Sequence, residues 1–190
     1  MFSQIGQFLT ETVFGFFVFL LLLRFHMQWL RAPFRNPVGE FVTTLTNWLV
    51  LPVRRVVPGL FGFDLPTLVL AWLAEGLMWV LLMWMRGISL AGAPGIATGA
   101  IAMLAAVELL RLSLYLLIGV VIVQVIFSWV NPHTMLAGVF DTLTRPFYRL
   151  FRRFVPPIGN IDLAPLFVVI VAQVLLIPVA TLTHTVSKLF

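Results

Sequence analysis

The sequence contains no cysteine, which excludes disulfide bonds, thiolate metal sites and cysteine nucleophiles. Charge is also scarce: only 10% of the 190 residues are Asp, Glu, Lys or Arg, against roughly a quarter in water-soluble domains. So little charge cannot cover a globular surface. The chain is instead 61% hydrophobic, with a mean hydropathy of +1.07. It is therefore predicted to be an integral membrane protein, long enough for about four or five spans.

Motifs of common enzyme chemistry are absent as well. The sequence has no HExxH, no closely spaced histidine pair, no glycine-rich phosphate loop and no nucleophile elbow. Its three histidines, His26, His133 and His184, are scattered. We therefore expect no catalytic residue, no metal, no cofactor and no enzyme activity. Residues 1–11 contain no Lys or Arg, so the first apolar run is expected to remain as a span rather than to be cleaved as a signal peptide.

Four apolar runs are long enough to cross a bilayer, and they are residues 8–30, 65–85, 112–130 and 163–183. Residues 88–107 are also apolar, but Ala93-Pro94-Gly95 interrupts them, so they are interpreted as part of a long third helix or as an interfacial or re-entrant segment. Four spans place eight of the twelve cations on one face, which agrees with a positive-inside orientation. A fifth span would separate them.

An unusual polar string occurs twice, each time after an apolar run. Asn-Pro recurs 95 residues later, and Arg-Arg and Asp recur 98 residues later. The repeated residues are Asn36, Pro37, Pro52, Arg54, Arg55, Pro58, Asp64 and Pro66, followed by Asn131, Pro132, Pro146, Arg152, Arg153, Pro156, Asp162 and Pro165. An ordered repeat of this kind indicates internal duplication. We predict two units, residues 1–90 and 91–190, with interfacial segments at 36–64 and 131–162.

Each string contains an amphipathic stretch, predicted to lie in the headgroup plane. Asn36 and Asn131 are expected to cap these helices, each with proline in the first turn. Pro52 and Pro146 are expected to end them, which places about four extra residues after Pro146 in the second copy.

Two aspartates, Asp64 and Asp162, precede the second and fourth spans and are expected to cap those helices. A local salt bridge to the Arg pair is compatible with that role.

These residues resemble the repeated motif of the YggT family of bacterial membrane proteins, in its two-repeat form. The resemblance covers most of the chain. It implies a link to osmotic or ionic stress tolerance and, in some lineages, to division-associated gene clusters; organellar members are linked to cytochrome b6 haem attachment. It carries over no catalytic residue.

Polar residues inside the predicted spans are the candidates for transport chemistry. Glu75 and Gln173 each lie eleven residues after the repeated aspartate, hence at equivalent depths. Intramembrane ionisable groups indicate an ion or proton path, although a structural contact between helices, with Glu75 protonated or paired with Arg24 or Arg111, is the favoured explanation. Glu108 and Arg111 are three residues apart and are expected to pair.

The arginines near the strings suit anionic lipid headgroups or an acidic partner protein, although topology determination alone would also explain them. The candidates are Arg54, Arg55, Arg149, Arg152 and Arg153. With a net charge of +5 distributed beside apolar runs, no nucleic acid partner is expected.

The sequence thus predicts an all-α polytopic membrane protein of four transmembrane helices, arranged as two tandem parallel hairpin repeats with interfacial amphipathic helices. It is expected in the bacterial cytoplasmic (inner) membrane with both Arg-rich segments cytoplasmic. The leading hypothesis is a non-enzymatic scaffold or assembly factor for envelope or osmotic homeostasis, binding anionic lipid, a membrane protein partner or its own copies. The alternative is a small oligomeric ion or proton transporter that uses Glu75.

Overall fold

The computed structural model describes residues 2–57, 59, 62–88, 94–155 and 162–187. In these ranges the chain forms six helices and no strand: α1 (Phe2–Trp29), α2 (Pro37–Val56), α3 (Leu65–Met85), α4 (Pro94–Val130), α5 (Met135–Phe151) and α6 (Ala164–Ser187). Helices α1, α3, α4 and α6 are long and apolar enough to cross a membrane. The predicted all-α class with four membrane helices is therefore confirmed.

Helix α4 resolves the ambiguity about residues 88–107. It runs without interruption for 37 residues, so the predicted span at 112–130 is only its C-terminal half. Residues 89–93 lie outside the described residues. At 1.5 Å per residue α4 is about 55 Å long, well beyond the roughly 30 Å hydrocarbon core. It must therefore tilt or extend past the core, and it counts as one crossing.

The membrane helices pack as two antiparallel hairpins. Helix α1 packs on α3, and α4 packs on α6, while the contact between α3 and α4 joins the two hairpins. The main core cluster contains Val18, Leu21 and Leu22 of α1 together with Leu109 and Leu116 of α4. The packing of these side chains joins the two hairpins in one core.

Both interfacial helices lie at the same end of the bundle. Ala32, just past α1, shares the main core cluster with Val50 of α2 and with Val139 and Leu143 of α5. The two interfacial helices therefore pack against one shared core.

The first helical turns of α2 and α5 are built differently. Asn36 is buried and caps α2, because its Oδ1 accepts a hydrogen bond from the Gly39 amide at 3.0 Å, and Pro37 begins the helix as predicted. The predicted cap at Asn131 is wrong. Thr134 caps α5 instead, accepting from the Ala137 amide at 3.2 Å, so Asn131 and Pro132 lie in the turn before the helix.

Pro52 and Pro146 lie inside α2 and α5, so the prediction that they end these helices is wrong. Both prolines are exposed. The helix continues on either side of each because its buried face, rather than a complete hydrogen-bond ladder, holds it in place.

The two interfacial helices are therefore in register 98 residues apart. Helix α2 begins at Pro37 and α5 at Met135, and buried Thr46 corresponds to buried Thr144. The extra residues of the second copy consequently precede α5. They do not follow Pro146, as the proline pairing suggested.

Candidate functional site

The repeated Arg and Asp residues form the same ion pair in both halves of the molecule. Arg54 Nη2 lies 2.7 Å from Asp64 Oδ2, and Arg152 Nη2 lies 2.6 Å from Asp162 Oδ2. Arg152 also donates through Nε to the same oxygen at 3.0 Å. Each pair joins the C-terminal end of an interfacial helix to the beginning of the next span. The duplication therefore preserves a clamp on the connecting segment.

In the first clamp the aspartate is buried, while the Arg54 side chain is 39% exposed. The Asp64 side chain is only 1% exposed, and its Oδ2 also accepts from the Thr67 hydroxyl at 2.5 Å and lies 4.0 Å from Arg24 Nε. Asp64 is the N-cap residue of α3, as predicted, but its side chain makes no hydrogen bond to the amides that begin the helix. The carboxylate instead interacts with two arginines, Arg24 and Arg54, and with the Thr67 hydroxyl.

The second clamp is open to solvent. The Asp162 side chain is 31% exposed and the Arg152 side chain 52% exposed. Asp162 Oδ1 accepts from the Ala164 amide at 2.9 Å, so this aspartate does cap its helix while it binds the arginine. Both aspartates form the expected salt bridge, and only in the second repeat does the same side chain also bind a helix amide.

Arg24 is a structural residue that the sequence did not reveal as such. The sequence suggested a pairing with Glu75, yet the Arg24 side chain is buried and its Nη1 donates to Thr46 Oγ1 at 2.7 Å and to Asn47 Oδ1 at 2.9 Å. It thereby fastens α2 to α1. The only signal in the sequence was an arginine placed before the end of an otherwise apolar run.

The five candidate arginines divide into two groups. Arg54 and Arg152 hold the clamps, whereas Arg55, Arg149 and Arg153 are exposed and make no ion pair with any residue that the structure describes. The second group is available to a ligand.

An open basic groove of about 540 Å³ lies along α5. Its lining consists of Asp141, Arg145, Tyr148, Arg149, Arg152 and Arg153. Arg145 pairs with Asp141 at 2.7 Å, and the Arg152 guanidinium lies over the Tyr148 ring, 5.7 Å from its centroid.

Tyr148 forms the floor of this groove. Burial raises its pKa to about 12, so the hydroxyl stays protonated and donates to Gln124 Oε1 of α4 at 2.9 Å. In the first repeat the residues 98 positions before Arg145, Tyr148 and Arg149 are Asn47, Val50 and Leu51. The groove is therefore a feature of the second repeat alone.

Two buried carboxylates lie where α3 meets α4. Glu75 is 2% exposed; its Oε1 accepts from Trp79 Nε1 at 3.2 Å, and its Oε2 has no hydrogen-bond partner among the described residues. Glu108 accepts from Arg111 Nη1 at 3.1 Å, which confirms the predicted pair. Glu75 thus forms an ion pair with neither Arg24 nor Arg111. Glu108 and Arg111 are nevertheless the charged groups that interact with it electrostatically.

Gln173 occupies the position in α6 that Glu75 occupies in α3, yet its surroundings differ. It is exposed on the surface of the bundle and makes no hydrogen bond to a described residue. The structure therefore does not bring Gln173 together with Glu75, Glu108 and Arg111.

Comparisons with known proteins agree with the motif. A family model described as CCB3/YggT matches residues 3–85 and 103–183, one segment in each repeat. The protein named YggT of Escherichia coli strain K12 is 29% identical over 183 residues, which cover 91% of this chain and 88% of the relative. An uncharacterized protein of Pseudomonas aeruginosa is 32% identical over 162 residues, covering 84% of this chain and 80% of the relative. No solved structure gives a significant match.

Proposed function

The chain belongs to the CCB3/YggT family, and we propose that it acts as a non-enzymatic membrane scaffold whose arginine-bearing face binds anionic phospholipid headgroups. The observation that carries the proposal is that some arginines are held in ion pairs while their neighbours are exposed and unpaired among the described residues. Arg54 and Arg152 fix the two clamps, and the neighbouring Arg55, Arg149 and Arg153 remain exposed without an ion pair in the described part of the chain.

The electrostatics of this face favour a phosphate ligand. A cation close to an anionic membrane surface contributes on the order of 1 kcal/mol, and guanidinium groups bind phosphate through paired hydrogen bonds. The α5 groove collects four arginines against one aspartate that already pairs with Arg145. The net positive groove lies at the end of the bundle where headgroups are expected, with both strings on the cytoplasmic side of the inner membrane.

Lipid titration of the purified protein tests the proposal. Detergent-solubilised protein is titrated with short-chain phosphatidylglycerol or phosphatidylcholine, and binding is followed by native mass spectrometry. We expect tighter binding of the anionic lipid, and about a tenfold or greater loss when Arg149→Gln and Arg153→Gln are combined, since each removed cation is worth about 1 kcal/mol.

The matched control is Arg86→Gln, which removes one exposed arginine after α3, outside both strings. It should leave the affinity for the anionic lipid unchanged. Equal affinity for the two lipids, or equal affinity in the wild type and the double variant, would contradict the proposal.

We propose that this scaffold acts in envelope, osmotic or ionic stress homeostasis. The same arginine-bearing face could also bind an acidic membrane protein. A deletion strain grown at high osmolarity provides the check. Complementation by Arg86→Gln but not by the Arg149, Arg153 double variant is expected. Full rescue by both variants would separate the arginine face from the stress phenotype.

A second candidate function, that of a small oligomeric ion or proton transporter, is favoured by one observation. Glu75 keeps a buried carboxylate oxygen without a partner among the described residues, beside the charges of Glu108 and Arg111. Ionisable groups at this depth are costly and commonly serve transport.

Flux measurements in proteoliposomes discriminate between the two candidates. Under the transporter hypothesis, ion or proton flux driven by a gradient disappears in Glu75→Gln and persists in the control Glu11→Gln, whose side chain is about half exposed. Absence of flux from wild-type vesicles at every gradient would eliminate this candidate and leave the scaffold.

A further inference from the structure

We infer that α6 docks onto α1 of a second copy of this chain, repeating between molecules the contact by which α3 docks onto α4 within one molecule. The inference concerns a surface distinct from the arginine-bearing face and goes beyond the proposed scaffold function. It rests on the internal duplication, on an uncovered polar side chain in α6 and on a polar stripe along α1.

The template is the contact between the two repeats. A Cβ added at Gly76 of α3 would lie 3.8 Å from Ile101 Cγ2 and 3.9 Å from the Ala105 Cβ, and Trp72 Nε1 donates to the Ala102 carbonyl at 2.9 Å. Glu75 is buried on the same face of α3. This face of α3 thus packs against the first half of α4, which buries Glu75 and half-buries Trp72, Gly76 and Trp79.

The corresponding face of α6 has no cover. The residues 98 positions after Trp72, Glu75, Gly76 and Trp79 are Ile170, Gln173, Val174 and Ile177. All four are exposed, Val174 to 57% and Ile177 to 67%. Among the described residues α6 packs on α4 and α5, and α1 is not one of its principal contacts. The duplication has therefore left one copy of the docking face unused.

Gln173 identifies the missing neighbour as a polar one. It is the tenth residue of the 24-residue α6, about 14 Å along the helix axis, and so at the depth of the hydrocarbon core. Its amide carries two donor hydrogens and one acceptor oxygen, none of which bonds to a described residue. Lipid tails cannot satisfy these groups, whereas a polar side chain on another helix can.

Helix α1 carries the complementary surface. The residues 98 positions before Ile101, Ala102 and Ala105 are Ser3, Gln4 and Gln7, where the apolar residues of α4 have been replaced by polar ones. Ser3 and Gln4 are exposed, and Gln7 Nε2 donates to Ser3 Oγ at 3.3 Å. Met85 of α3 lies against Gly6 and Thr10, so the contact with α3 borders the polar stripe and leaves Ser3 and Gln4 uncovered.

The two surfaces both carry amide side chains, and each belongs to a different helix of the chain, so one can dock onto the other in a neighbouring copy. Gln173 of one copy would meet the amides of Gln4 and Gln7 of the next, at the position where Glu75 is buried against α4 in the internal contact. Since α6 and α1 are different surfaces, the contact is heterologous, and repeated docking closes a ring or extends an array. The inferred partner is therefore a second copy of this chain in head-to-tail contact.

Disulfide cross-linking tests this inference on a background that has no native cysteine. Gln173→Cys and Gln7→Cys are placed on separately tagged copies, expressed together in membranes and oxidised. Because a disulfide requires Cα atoms within about 7 Å, only a direct α6–α1 contact gives the mixed dimer. We expect that dimer from the mixed pair and none from either variant alone.

The control pair is Leu175→Cys with Gln7→Cys, since Leu175 is 48% exposed on a different face of α6. It should remain monomeric. A dimer of Gln173→Cys with itself would replace the head-to-tail contact by a symmetric α6–α6 contact, and a monomer in every combination at matched expression would remove the interface altogether.

Loss of the amide provides a second readout. Gln173→Leu keeps the size and the apolar surface of α6 and removes its hydrogen bonds, so we expect self-association in micelles to weaken about 3- to 30-fold. Leu175→Ala should leave it unchanged. Association that is equal or stronger in Gln173→Leu would overturn the role assigned to the amide.

Discussion

At the scale of single residues, the duplicated Arg–Asp pair shows how one motif acquires different energetics from its surroundings. Asp64 is almost completely buried beside Arg54 and Arg24, whereas Asp162 is partly exposed and pairs with an exposed Arg152. Removing one partner of a buried ion pair leaves an uncompensated charge, while an exposed pair is screened by water.

The two aspartates should therefore respond differently to neutralisation. We expect Asp64→Asn to lower the free energy of unfolding by about 3 kcal/mol and Asp162→Asn by about 1 kcal/mol or less. Reversible unfolding in mixed micelles, followed by circular dichroism, measures both.

Asn keeps the size of Asp and one acceptor oxygen and replaces the other oxygen by an NH2 donor, so side-chain volume is matched in the two variants. Equal losses for the two substitutions would show that the difference in burial between the clamps is without energetic consequence.

The same scale separates residues that look alike in sequence. Arg54 and Arg55 are neighbours, yet only Arg54 pairs with an aspartate. Glu75 and Gln173 are equivalent in the repeat, yet only Glu75 is buried. The role of each side chain depends on which helix packs against it, and a local sequence pattern does not show which helix that is.

At the scale of the secondary-structure elements, the start of α2 depends on one close approach. Gly39 lies against the preceding turn so closely that an added Cβ would be 2.3 Å from the Phe34 carbonyl oxygen. The turn holds the Asn36 cap in place, so backbone movement there would disturb the first turn of the helix.

Alanine substitution at two glycines should consequently have opposite effects. Gly39→Ala is expected to destabilise the protein by about 1 to 3 kcal/mol through overpacking against backbone. Gly138→Ala, at an exposed site of α5 with open space around the new methyl, should stabilise it by up to about 1 kcal/mol through helix propensity.

Thermal unfolding midpoints in detergent measure the two changes. Unchanged stability in Gly39→Ala would mean that the turn before α2 yields without cost, contrary to the role given to its contact with Phe34.

The interfacial helices also show that proline is a weak boundary signal when a helix is held by its packing. Val42 and Val50 bury one face of α2, and Val139 and Leu143 bury one face of α5. These contacts carry both helices through Pro52 and Pro146. The missing backbone donor costs less than unwinding a packed amphipathic helix.

At the scale of the whole molecule, α4 decides the topology. Because residues 94–130 form one helix, the chain crosses four times, and the strings after α1 and α4 emerge on the same side. Their arginines then concentrate positive charge on one face, which is expected to be cytoplasmic.

Cysteine labelling tests this orientation on the native cysteine-free background. We expect Glu40→Cys and His133→Cys, both in exposed positions of the strings, to react with an impermeant maleimide only after the cells are opened. Ile88→Cys and Ser187→Cys, exposed at the other ends of the hairpins, should react in intact spheroplasts.

The four positions control for one another, since all are solvent-exposed residues in the same chain. Labelling of Glu40→Cys and His133→Cys from opposite sides would require an odd number of crossings between them and would refute the single-helix description of α4.

The sequence by itself determined the membrane location of the helices, the duplication and the pairing of Glu108 with Arg111. These depend on apolar run length, on the order of rare residues and on spacing within one helix, all of which are local properties. The span at Leu65–Met85 was predicted to the residue because Asp64 and Arg86 bound an uninterrupted apolar run.

The tertiary structure alone decided which polar residues are buried, paired or free. It fastened α2 through Arg24, buried Asp64 but not Asp162, covered Glu75 with α4 and left Gln173 uncovered. Each outcome depends on contact between segments far apart in the chain, and the energy of a polar group is set by whichever neighbour excludes water or lipid from it. Such neighbours are fixed by packing, which the order of residues does not display.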